Sequence, residues 1–147
     1  MKCKDRRVSA PGDAARVARG ADGGRAREKT VLMVSRITPR QVAARMARGE
    51  SIAFVDARGD EAWKQARWKV AGAVHASPPS LVRDASQVTR AQVVVVYGDD
   101  EREPDVPVVA EGLRALGFRQ VRLLAGGFRA WAELRYATEA AREAAAA

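Results

Sequence analysis

The chain contains one cysteine, Cys3, and one histidine, His75, among 147 residues. An intramolecular disulfide is therefore excluded, as are zinc sites that gather several Cys and His ligands. Aromatic residues make up 5% of the chain and none precedes Phe54, so the N-terminal third offers no stacking platform for bases. The longest run of large apolar residues is Val93-Val94-Val95-Val96-Tyr97, far short of the ~20 residues that cross a bilayer. Lys2, Lys4, Arg6 and Arg7 are not followed by the apolar segment of a secretory signal. Asp5, Asp13, Asp22 and Glu28 break up what would otherwise read as an acid-free organellar presequence. The expectation is a cytoplasmic protein with no membrane partner.

Alanine supplies 30 of the apolar residues, and the 39 larger ones are enough for one core. A single domain of about 100–150 residues is the consequence. The net charge of +8 is uneven: residues 1–30 hold nine Lys/Arg against four Asp/Glu. That segment has few large apolar side chains to offset its ordering entropy, so disorder is expected through about residue 30. A basic tail can hold polyanions by counterion release, but without aromatics it implies no specific nucleic acid.

From Val31 onward, short apolar runs alternate with helix-like segments, the signature of a parallel βα sheet. Thr38 is placed to cap a helix that starts at Pro39, carries Val42 and Met46 on its apolar face, and stops at Gly49. Ile52–Val55 reads as a buried strand that delivers Asp56 and Arg58 to its C-terminal end. A short helix from Asp60 to about Arg67 follows, with Trp63 turned inward, then a short strand at Ala73-Val74-His75. Gln92–Tyr97 reads as a central strand, apolar on both faces. Asp105 is expected to cap a helix with Val109, Leu113 and Leu116 on its apolar side. Val121–Leu124 is a last strand, and Gly126-Gly127 leads into a helix carrying Trp131. The alanine-rich end from Thr138 is expected to continue that helix.

Four local motifs occur in a particular order. They are Val55-Asp56-Ala57-Arg58, Val70-Ala71-Gly72-Ala73-Val74, Val93-Val94-Val95-Val96-Tyr97, and Gly126-Gly127-Phe128-Arg129-Ala130-Trp131. Together they resemble the rhodanese-like domain family over about residues 31–135. The resemblance implies an α/β fold: a single domain with a central, mainly parallel five-stranded sheet and helices on both faces. It divides the chain into a basic tail (1–30), the domain (31–135) and an alanine-rich helical extension (136–147).

In active members of that family, the resemblance implies a cysteine directly after the apolar-Tyr pair. It carries sulfane sulfur as a persulfide, while backbone N–H groups of the following loop cradle the anion. A soft, ionisable thiolate suits that task. Here the matching residue is Gly98, which has no side chain to carry sulfur. Asp99, Asp100, Glu101 and Glu103 follow it, with Arg102 as the only cation, and carboxylates near a bound anion repel it by roughly 1–3 kcal/mol each.

The resulting expectation is a catalytically inactive domain acting as a binding or regulatory module, with the acidic loop facing a basic protein partner or solvent. Two alternatives belong beside it. One is sulfur transfer through another nucleophile, for which Cys3 is the only thiol. The other is a Mg²⁺ or Ca²⁺ site built from Asp56 and Asp99 at the sheet edge, where open α/β folds place ligands. Asp56 and Arg58 are read first as an ion pair that ties loops together, His75 as structural, and Trp63 and Trp131 as core. No motif implies a cofactor, and no feature sets an oligomeric state.

Overall fold

Val93–Tyr97 has no exposed side chain, and such a strand is stable only with layers packed on both its faces. A computed structural model of the chain, describing residues 34–142, shows how those layers are supplied. The elements are β1 (Arg36–Ile37), α1 (Pro39–Ala47), β2 (Ile52–Asp56), α2 (Asp60–Gln65), β3 (Trp68–Val70) and β4 (Val74–His75), followed by a 3₁₀ turn (Pro78–Ser80). Then come α3 (Leu81–Ala85), β5 (Val93–Tyr97), α4 (Asp105–Ala115), β6 (Val121–Leu124), α5 (Gly127–Glu133) and β7 (Thr138–Ala140). The main sheet has the order β1-β6-β5-β2-β4, with every neighbouring pair parallel.

The two-residue period of a strand divides β5 between two cores. Val94 and Val96 join Ala53 and Val55 of β2 and Val106, Val109, Ala110 and Leu113 of α4. Val93, Val95 and Tyr97 face the other way, joining Phe54, Val42 of α1 and Trp131 of α5. Helices therefore cover both faces.

Thr38 caps α1 reciprocally: the Gln41 N–H donates to Thr38 Oγ1 at 3.0 Å, and the Thr38 N–H donates to Gln41 Oε1 at 2.9 Å. Several sequence-based placements shift. Asp105 is the first residue of α4 rather than its cap; Pro104 holds the cap position, with no side-chain hydrogen bond there. Met46 and Leu116 are exposed instead of buried, Met46 in the last turn of α1 and Leu116 at the C-cap just past α4.

The alanine-rich end is corrected more substantially. Residues 138–140 form a strand, not a helix, and pair antiparallel with β3. Arg135, with φ at +62°, turns the chain away from α5. The Ala71 N–H then donates to the Ala137 carbonyl at 3.1 Å and the Ala141 N–H to the Arg67 carbonyl at 2.9 Å. The Arg142 guanidinium donates to the carbonyls of Trp63, Lys64 and Ala66, which closes the C-terminal end of α2. Alanine's helix preference is only some tenths of a kcal/mol per residue, and these long-range bonds outweigh it. The tail expected to be disordered, Cys3 within it, and residues 143–147 lie outside the described residues.

Candidate functional site

Asp56 ends β2 and Arg58 follows two residues later, so both side chains stand at the carboxyl edge of the sheet. Both are buried, Asp56 completely. Arg58 Nε donates to both carboxylate oxygens of Asp56, at 3.1 and 3.0 Å, and one terminal NH2 group donates to Oδ2 at 2.6 Å. Asp56 Oδ1 also accepts from the Arg58 backbone N–H, and Oδ2 from the Tyr97 hydroxyl at 2.8 Å. Tyr97 Oη in turn accepts from the Val70 N–H at 3.0 Å. Arg58 also donates to the Trp68 carbonyl at 2.8 Å, and its remaining arm lies 3.4 Å from Asp99 Oδ1. Its guanidinium carbon sits 4.9 Å from the Phe128 ring centre.

One ion pair thus ties together β2, β3, β5 and the loop that follows β5. Burial opposes the guanidinium's charge, but the Asp56 carboxylate more than compensates and raises the Arg58 pKa. Burial, and then the negative charge of Asp56, push the Tyr97 phenol far above its ordinary value of 10.0. With Asp56 surrounded by these donors, the sheet-edge metal alternative loses its principal ligand. Among the described residues no group of three or more His, Cys, Asp or Glu side chains is arranged to hold a metal.

A pH dependence follows from Tyr97. Its folded pKa lies above the unfolded one, so its contribution is fully present below about pH 10 and is lost as pH rises further. Urea unfolding measured from about pH 8 to about pH 11 is expected to show stability falling above about pH 10. Tyr97→Phe should flatten that fall while lowering stability at neutral pH, because Asp56 loses a donor and the Val70 N–H an acceptor. An unchanged alkaline slope in the variant would contradict this role.

His75, on β4, donates from Nε2 to the Arg58 carbonyl at 2.9 Å and stacks on Trp63 with ring centres 4.2 Å apart. It is therefore a structural partner of the Asp56–Arg58 corner. Trp63 is only half-buried and packs on His75, whereas Trp131 is in the core.

Directly after Tyr97 comes the loop Gly98–Pro104. Gly98 is buried, and a Cβ added to it would overlap the Glu103 Cβ, with Glu103 Cγ at 2.7 Å and Val106 Cγ2 at 2.9 Å. The start of α5 closes the loop from the other side. The Phe128 and Arg129 N–H groups donate to the Gly98 and Asp99 carbonyls at 2.7 and 3.0 Å. Gly127, at φ +63°, comes so close to Asp100 that a Cβ there would be 2.7 Å from its Cα.

The loop's acids find partners within the domain. Asp99 meets Arg58, and Asp100 Oδ1 accepts from the Arg102 N–H at 2.7 Å. Glu101 pairs with Arg36 at 3.3 Å and accepts from the Gly126 N–H at 3.0 Å, while Glu103 accepts from the Gly59 N–H at 3.3 Å. Sequence reasoning identified these acids but not their partners, which for Asp99, Glu101 and Glu103 lie on distant segments of the chain. Beside the loop, a depression of about 410 Å³ is lined by Asp99, Phe128, Arg129, Ala132 and Glu133. Its mixed charges give it no bias towards an anion.

The sequence profile of the rhodanese-like domain matches residues 38–134. Among curated proteins, none matches the chain. Solved structures share the fold. The rhodanese-like domain of the Alr3790 protein from Anabaena is 23% identical, with a TM-score of 0.57, covering 73% of this chain and 80% of its own. The thiosulfate sulfurtransferase from Pseudomonas aeruginosa is 19% identical, with a TM-score of 0.59, covering 72% of this chain and 19% of its own. Protein RPA3614 from Rhodopseudomonas palustris, described as a possible tyrosine phosphatase, is 18% identical, with a TM-score of 0.59, covering 81% of this chain and 96% of its own. With the profile spanning four of the sheet's five strands, the helices between them and the loop after β5, the chain belongs to the rhodanese-like domain family.

Proposed function

We propose that this rhodanese-like domain carries no sulfur and works as a binding or regulatory module. The observation that carries the reading is Gly98. It follows Tyr97 at the end of β5, where the family resemblance puts the sulfur-carrying cysteine, and Glu103 and Val106 fill the space a side chain would take. A covalent sulfur carrier needs a thiolate, and the chain's single thiol is Cys3.

The loop's charge supports the same reading. Asp99, Asp100, Glu101 and Glu103 surround the place an incoming thiosulfate would take and would repel it, and among the loop's own N–H groups that of Arg102 already donates to Asp100 Oδ1. Asp99 and Glu101, with 47% and 43% of their side chains exposed, are the carboxylates available to a basic protein partner.

The test is thiosulfate-to-cyanide sulfur transfer by the full-length protein beside Cys3→Ser, with a lysine-rich peptide titrated into the same preparations. No turnover in either, and peptide binding that disappears when Asp99, Asp100, Glu101 and Glu103 are reversed in charge, is the expected result. Turnover abolished by Cys3→Ser would make Cys3 the carrier and end the non-catalytic reading. Peptide binding that survives the reversal would remove the loop from the binding surface.

A further inference from the structure

In a parallel sheet all strands start at one edge and finish at the other, so charges flanking the strands are sorted by end. Asp56 finishes β2, and Asp99, Asp100, Glu101 and Glu103 follow β5, which makes the carboxyl edge acidic. At the opposite edge Arg48 precedes β2, Arg90 precedes β5, Arg119 precedes β6, and Arg122 is the second residue of β6. Arg45 joins them from the C-terminal turn of α1.

Two concavities lie beside these arginines. One of about 250 Å³, between α1 and β1, is lined by Arg36, Ile37, Gln41, Arg45, Arg48 and Arg122 among others. The other, about 350 Å³, is lined by Arg90, Gln92, Arg119 and Gln120 around Phe118.

The arginines are held in place more than they are neutralised. Glu50 alone bonds both Arg45, at 3.3 Å, and Arg48, at 3.0 Å, so one carboxylate fixes two guanidinium groups. Arg90 lies over the Phe118 ring at 4.1 Å, a contact that leaves its charge intact. Among the described residues no ion pair involves Arg90, Arg119 or Arg122.

We propose that this amino edge is a docking face for an extended acidic segment of a protein partner. Guanidinium forks match carboxylates, and the Gln41 and Gln92 amides, whose oxygens are held by the Thr38 and Ser51 N–H groups, turn their NH2 donors to a peptide carbonyl. Nucleic acid fits less well: the aromatic at hand, Phe118, is buried beneath Arg90 and presents no face to a base. The inference concerns the end of the sheet opposite Gly98 and does not depend on the loss of sulfur chemistry.

The experiment is an anisotropy titration of the full chain with a labelled peptide of alternating Glu and Ser, in about 50 mM and about 300 mM salt. Binding should weaken with salt, and by roughly tenfold when Arg119→Glu and Arg122→Glu are combined. Arg83→Glu, an exposed change on α3, should leave it unaltered. Because the basic segment of residues 1–30 is present in every protein, a difference between variants reports the amino edge alone. If circular dichroism shows the double reversal unfolded, Arg119→Gln with Arg122→Gln replaces it, with a smaller loss in the same direction expected. Binding unchanged by either pair, an equal loss with Arg83→Glu, or tighter binding of a duplex DNA of equal charge would each overturn the assignment.

Discussion

Arg58→Met should lower the unfolding free energy by about 3–5 kcal/mol, the usual cost of leaving one member of a buried ion pair without the other. The whole domain's stability is of the order of 5–15 kcal/mol, so the variant approaches the unfolding threshold. Asp56 would remain completely buried, with the Tyr97 hydroxyl and one backbone N–H as its only donors. The Trp68 carbonyl would lose its guanidinium donor, loosening the attachment of β3. Pairing Arg58→Met with Asp56→Leu should recover part of the loss, because an apolar pair avoids desolvating charge. Urea denaturation of the parent, both single variants and the double variant measures this coupling. A loss below about 1 kcal/mol for Arg58→Met is the scale of a surface pair and would mean that the corner is not held by this contact.

How much of this corner is legible in the sequence depends on the range of its contacts. Asp56 and Arg58 stand out because a buried strand delivers them to the carboxyl edge, and the ion pair read from them is present. Tyr97 and the Trp68 carbonyl do not stand out as their partners. Tyr97 enters as the last apolar residue of β5, and β3 is three residues long with exposed Trp68 at its start, too short for a periodic signal. The central strands are legible for the opposite reason. Burial on both faces leaves β2 and β5 as continuous apolar runs, whereas edge strand β1 has two residues, one of them exposed Arg36. The strand at Thr138–Ala140 is hidden by composition: its exposed residues form it only because β3 needs a partner. In the loop, Gly98 and the acids are legible as residue types. The closure of Glu103 over Gly98 is not, since it is set by how α4 begins rather than by spacing.

That closure yields the second large effect. Gly98→Cys should destabilise the domain by about 1–3 kcal/mol, the cost of adding side-chain atoms to a filled site. The obstruction lies at Glu103 Cβ and Cγ, close to the backbone, so rotating the carboxylate away does not clear it. Glu103→Gly removes those atoms, and the double variant should regain part of the lost stability, with Val106 Cγ2 left as the remaining close contact. Neither variant is expected to transfer sulfur from thiosulfate to cyanide. The new thiol would sit among Asp99, Asp100 and Glu101, whose negative charge disfavours a thiolate and repels the donor anion. Among the loop's own N–H groups, that of Arg102 is already taken by Asp100 Oδ1. Thiosulfate turnover and urea denaturation of both variants read the two consequences separately. A Gly98→Cys protein as stable as its parent and turning over thiosulfate would show a sulfur site complete except for its thiol. Loss of stability without turnover would show a loop rebuilt around the missing side chain.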